Sequence, residues 1–148
     1  MSYSRRVNNE RTKYKTEYED KLGCWLIDHS NNSMSFLKFI NDYIVLIDIS
    51  FPKTYPFRPP TVKINNIDYM DLLKISESWK FDILVNKKCL CCSTLLCRNN
   101  WHACANIVTL LIEIIDNLEL KLRFNELRHV KKIKLKYLID DIPLEQYF

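Results

Sequence analysis

The chain has 148 residues, of which 47% are hydrophobic and 27% charged, with a formal net charge of +4. That length suits one domain whose core buries about 70% of the surface exposed by the unfolded chain, and so small a charge does not point to nucleic acid as partner. No apolar run is long enough to span a bilayer and no secretory pattern opens the sequence, so a soluble intracellular protein is expected, cytoplasmic or nuclear and not associated with a membrane.

Ser4–Tyr18 is polar and highly charged, with Val7, Tyr14 and Tyr18 among its few apolar positions, and reads as an N-terminal helix with a thin apolar stripe. Cys24–Ile27, Met34–Ile40 and Tyr43–Phe51 read as three consecutive antiparallel strands. Gly23 is the only glycine, so turns fall to Ser30-Asn31-Asn32-Ser33 and Asn41-Asp42. In the third strand Val45, Ile47, Ile49 and Phe51 make one face wholly apolar. Thr61–Ile64 is the fourth strand of the meander. Between the third and fourth strands lies Phe51–Pro60, FPKTYPFRPP, with Pro52, Pro56, Pro59 and Pro60, four of the five prolines. Each proline removes a backbone donor and fixes φ, so a rigid, largely extended connection is expected, with Phe51, Tyr55 and Phe57 available to anchor it.

From Asn65 to Lys88 the pattern weakens: Tyr69–Ile75 suits a short helix, and Trp79–Val85 has no clear period. Ala103–Leu120 is the strongest helix, with Ile107, Leu110, Leu111, Ile114, Ile115 and Leu118 at three-and-four spacing. It is expected to be the central packing helix. Lys121–Asp140 reads as a separate final helix, and Asp141–Phe148, with Pro143, as an irregular end. The fold class is therefore α+β: an N-terminal helix, a four-stranded antiparallel meander, and central and C-terminal helices. One domain is expected over residues 1–148, its core at about 5–120 and a C-terminal helix and tail at 121–148.

Lys88–Trp101 reads KCLCCSTLLCRNNW. An intracellular setting and the adjacency of Cys91 and Cys92 favour reduced thiols over disulfides. Cys89, Cys91, Cys92, Cys97, His102 and Cys104 are soft ligands in one window, but no paired C-x-x-C knuckles occur, so neither a metal nor another cofactor is expected. Most of these cysteines read as small buried hydrophobes, above all Cys104 in the first turn of the central helix. His102 and His129 read as surface helix residues rather than general bases.

The aromatic-proline alternation of Phe51–Pro60, set between two strands, resembles the F-P-x-x-Y-P-F-x-P-P segment of ubiquitin-conjugating enzymes. Trp101, ahead of the long apolar helix, resembles the Trp that opens that family's central helix. The likeness spans about Val7 to Leu120 and is specific at Phe51–Ile64 and Cys92–Leu118. It implies the ubiquitin-conjugating fold and its transferase activity, in which a cysteine accepts ubiquitin as a thioester from the ubiquitin-activating enzyme and passes it to a substrate lysine, alone or with a ubiquitin ligase. In the family the nucleophile precedes the Trp by eight to ten residues and has two aliphatic residues three and four positions on. Cys92 meets both conditions through Leu95 and Leu96, although Ser93 replaces the usual aliphatic neighbour; Cys89 is the fallback and Cys91 the third choice. The family's His-Pro-Asn motif, whose Asn is thought to hold the oxyanion, is replaced by Asp82-Ile83-Leu84, which leaves Asn86 as the oxyanion candidate.

The implied ligase surface combines the N-terminal helix, the Pro-rich connection and the loop before the central helix. Phe57 matches its exposed aromatic, and Ala103 stands where the family has a proline. The chain also departs from the family by a surplus within Asn65–Lys80, a shorter turn between the second and third strands, and a shortened C-terminal region. The missing motif supports a second reading, a non-catalytic relative that binds ubiquitin or partners an active conjugating enzyme. A zinc-bearing or protein-interaction domain of related fold is the third.

Overall fold

The computed structural model describes residues 2–40, 42–73, 94–97 and 100–140, with side chains excluded at 2–3 and 124–140. Helix α1 (Ser2–Lys13) runs through a π-helical turn (Tyr14–Tyr18) into a last short helix, α2 (Glu19–Leu22). Gly23 ends it in the left-handed conformation at φ 59°, its N–H donating to the Glu19 carbonyl at 3.1 Å. That backbone conformation is the reason for a glycine at this point.

Strands β1 (Cys24–His29), β2 (Ser33–Ile40), β3 (Tyr43–Ser50), β4 (Thr61–Ile64) and β5 (Ile67–Asp68) form one antiparallel sheet in that spatial order. The register pairs Phe36 with Ile47 and Ile47 with Ile64, and Met34 with Ile49 and Ile49 with Val62. All six are buried, so alternation along three strands is converted into one apolar face. Asp42, in the reversal between β2 and β3, has φ 70°, which suits a tight primed turn. The meander has five strands instead of the expected four, because Asn65 and Asn66 take φ 49° and 69° and fold the chain straight back into β5. Asn65 locks this turn to β3, exchanging bonds with Leu46 through its N–H (2.9 Å) and its Oδ1 (2.8 Å). A two-residue strand has no periodicity to read.

Helix α3 (Tyr69–Leu73) comes next and buries Tyr69 and Leu73. Thus the described part of the surplus stretch is a hairpin and helix seated in the core. The last helix, α4 (Ile107–Asp140), runs unbroken for 34 residues, so the expected central and C-terminal helices are one. No proline, glycine or capping residue interrupts the Leu120–Lys121 junction, and its residues are strong helix formers. Ile107, Leu110, Leu111, Ile114, Ile115 and Leu118 share a core cluster with Val7 of α1, Tyr14 of the π turn and the inner face of the sheet. Tyr14 sets its ring edge-to-face against Phe36 at 5.1 Å and donates its hydroxyl to the Cys24 carbonyl.

The Pro-rich connection is not extended. Tyr55 N–H bonds the Pro52 carbonyl at 2.9 Å and Phe57 N–H the Thr54 carbonyl at 2.8 Å, giving two overlapping turns. The Tyr55–Pro56 peptide is cis, the form that places proline at the third position of a tight turn. Prolines exclude helix and ladder pairing but are equally at home in turns and extended chain, so their number did not decide between the two.

Candidate functional site

Two of the three aromatics of the connection anchor it. Phe51 and Tyr55 are buried, their rings 4.7 Å apart and inclined at 68°, whereas Phe57, the closing residue of the second turn, is 80% exposed. Trp101 closes over the same segment: its Nε1–H donates to the Pro56 carbonyl at 2.8 Å and its ring centroid lies 6.1 Å from that of Tyr55. The two motifs singled out in the sequence, 45 residues apart, therefore touch. Trp101 does this from the loop before α4, not from the helix itself.

A charged pair on α1 binds this assembly together. Glu10 accepts from the Tyr55 hydroxyl at 2.5 Å and the Ile107 N–H at 3.0 Å, and pairs with Arg6 at 3.0 Å. Arg6 donates onward to the carbonyls of Ala103 (3.2 Å) and Ala105 (3.1 Å). These contacts explain why the helix begins at Ile107 and not Ala103. The Ile107 N–H and the Ala103 carbonyl would bond to each other in a longer helix, and each is taken by an α1 side chain instead. Asn106 then caps α4, its Oδ1 accepting the Thr109 N–H at 3.1 Å. Burial and the Glu10 carboxylate keep the Tyr55 phenol protonated far above its ordinary range.

Cys104, expected in the first helical turn as a buried residue, lies instead in the loop and is exposed. Displacing the helix start by four residues leaves it no core to enter. His102, also in the loop, is exposed as well. Cys24 is fully buried on β1, and desolvation pushes its thiol up to about 11, so it is an inert core thiol. Cys97 is half-buried. Among the described residues, no group of three or more His, Cys, Asp or Glu is arranged to hold a metal, and no helix is long and apolar enough to cross a membrane.

Cys89, Cys91, Cys92, Asn86, the Asp82-Ile83-Leu84 segment and the side chain of His129 lie outside the described residues. The chain is described again from Thr94, two residues beyond Cys92. Thr94 is fully buried, its hydroxyl donating to Glu113 Oε2 at 2.7 Å, while the Leu95 N–H donates to Glu113 Oε1 at 2.7 Å. Asn100 Nδ2 holds the Thr94 carbonyl at 2.9 Å. Leu96 packs against the core. One carboxylate of α4 thus clamps the chain at the aliphatic pair. Beside it the Tyr69 phenol accepts from Asn117 Nδ2 at 2.9 Å, its own proton held by burial.

Sequence reasoning missed Arg6, Glu10, Glu113, Tyr69 and Asn117. Arg6 and Glu10 look like any i,i+4 pair on a solvated helix. Glu113 did carry a signal, as the only charge within the apolar run Ile107–Ile115. No family model, no curated protein and no solved structure matches the chain.

Proposed function

We propose that this chain has the ubiquitin-conjugating fold and acts as a ubiquitin-conjugating enzyme with Cys92 as its nucleophile. The observation that supports this reading is the convergence of α1, the Pro-rich connection and the pre-α4 loop around Glu10, Tyr55 and Trp101, leaving Phe57 exposed. Those are the three segments from which the resemblance builds a ligase surface, and an exposed aromatic beside them is a fit anchor for a partner. Ala103 lends only its backbone to the assembly, through Arg6.

In the proposed reaction the Cys92 thiolate attacks the C-terminal carbonyl carbon of ubiquitin, held as a thioester on the activating enzyme, and that enzyme's thiolate leaves. A substrate lysine amine then attacks the new thioester, forming an isopeptide bond and releasing Cys92. The clamp of Thr94 and Leu95 by Glu113 supports a fixed approach for the chain after the nucleophile. Because Leu84 replaces the oxyanion Asn of the resemblance, discharge to lysine is expected to run about 10²–10³ slower than with that donor, unless Asn86 supplies it. A cytoplasmic or nuclear setting, with activating enzyme and ligase as partners, belongs to this reading.

The same missing Asn favours a second reading, a non-catalytic relative that binds ubiquitin or an active conjugating enzyme. Incubation with activating enzyme, ATP and ubiquitin on non-reducing gels separates the two. The enzyme reading expects a thiol-labile adduct, which Cys92→Ser turns into an ester resistant to reductant while Cys89→Ser and Cys91→Ser still charge. A wild type that never charges leaves the non-catalytic reading, and three single mutants that all charge like wild type overturn Cys92 as the nucleophile.

A further inference from the structure

The outer face of the sheet is divided. Asp28, Ser35, Asp48 and Lys63 occupy one half, and register places Trp25, Leu37 and Leu46 in a row across β1, β2 and β3, next to the Phe39–Ile44 pair, in the other. Trp25 is 45%, Phe39 56% and Ile44 61% exposed, and Ile27, at the β1 bulge, is half-exposed beside them. Trp25, Phe39 and Ile44 lie opposite the face that buries Cys24, Phe36, Ile40 and Val45, so only a register shift would turn them inward.

We infer that this face is the interface of a two-fold homodimer, formed by stacking the apolar halves of two sheets. Area is the first argument. The four exposed side chains offer roughly 400–500 Å² of apolar surface, at the upper end of what monomers leave uncovered. A standard interface takes about 800 Å² from each partner and is about 56–65% apolar. The patch therefore fills the apolar share of one such interface, and the polar half of the same face is available as its rim. Charge is the second. The apolar half carries no charged side chain, and the rim places Asp48 beside Lys63 as cross-strand neighbours. Stacking the apolar halves therefore brings no like charges together at the centre of the contact, despite a chain charge of +4. Stacking is also favoured over edge pairing. β1 is an edge strand, but a bulge between Leu26 and Asp28 interrupts it and the Leu26 N–H is already taken by Glu19 Oε2 at 3.1 Å.

Sedimentation velocity of the full chain over a range of micromolar concentrations tests this. The wild type is expected to shift from monomer to dimer with concentration. Ile44→Lys and, separately on the neighbouring strand, Phe39→Lys should each raise the dimer dissociation constant on the order of tenfold to a hundredfold with unchanged circular dichroism. The wild type also reports without any variant, through a Trp emission shift to shorter wavelength on concentration as Trp25 is covered. A wild type that stays monomeric throughout overturns the inference. So does a dimer that forms equally well with Lys at 39 or 44.

Discussion

Removing the Glu10 carboxylate tests whether the α1 charge pair is what joins the Pro-rich connection to the start of α4. Glu10 has a side chain only 10% exposed and accepts from three donors: Arg6 Nε, the Tyr55 hydroxyl and the Ile107 N–H. Bonds to a charged group contribute about 1.5–3 kcal/mol each, and a buried donor left unpaired costs about 1–3 kcal/mol. The three do not add, since they share one carboxylate and Arg6 at the rim recovers water. For Glu10→Ala, where the Tyr55 hydroxyl and the Ile107 N–H both lose their partner, a loss of about 3–4 kcal/mol is expected. At about 2–4 °C per kcal/mol for a chain this long, that is roughly 6–16 °C in melting temperature. Glu10→Gln keeps one acceptor oxygen for Ile107 but turns an amide donor toward Tyr55 or Arg6, and should lose about 1–2 kcal/mol. Urea unfolding monitored by circular dichroism measures both, and a cycle with Tyr55→Phe should return a coupling above about 0.5 kcal/mol. Glu10→Ala within about 0.5 kcal/mol of wild type would refute the reasoning, by showing that the node has no energetic role.

The neighbouring aromatics should behave oppositely. Phe57→Ala, at an exposed position, should change stability by less than about 0.5 kcal/mol while weakening ligase-dependent transfer by about 1–3 kcal/mol; a large loss in melting temperature would contradict this. Tyr55→Ala, by contrast, should lose about 3–5 kcal/mol of stability. Alkaline stability should depend on Cys24: its folded thiol sits at about 11 against 9.0 in the unfolded chain, so its contribution is complete below pH 9 and is lost as pH rises to about 11. Unfolding free energies measured across that window should fall less steeply in Cys24→Ala, and native-state alkylation at neutral pH, followed by mass spectrometry, should label Cys104 before Cys24. Glu113→Ala should free the chain after the cysteines, with a loss of about 2–3 kcal/mol and faster hydrogen exchange at the Leu95 amide; unchanged exchange there would mean that Asn100 and the Leu96 packing suffice.

Much of the architecture was already written in local pattern. Alternation in Met34–Ile40 and Tyr43–Phe51, the three-and-four spacing of Ile107–Leu118 and the Asn-Asp turn are short-range statements, and pattern of that range is what one sequence displays. They yielded the α+β class, four of the five strands and the buried face of α4. Elements decided by competition between distant groups were not legible. The start of α4 depends on Arg6 and Glu10 taking the Ala103 carbonyl and the Ile107 N–H from across 97 residues, and that choice in turn exposed Cys104. The Pro56 carbonyl in the Pro-rich connection finds its partner in Trp101, 45 residues away. Likewise the clamp on Thr94 and Leu95 needed α4 to present Glu113 to a segment 18 and 19 residues earlier. Hydrophobic periodicity tells which side of an element is buried, whereas a polar group's partner is fixed only when the tertiary fold brings one donor within reach of one acceptor and excludes water from both.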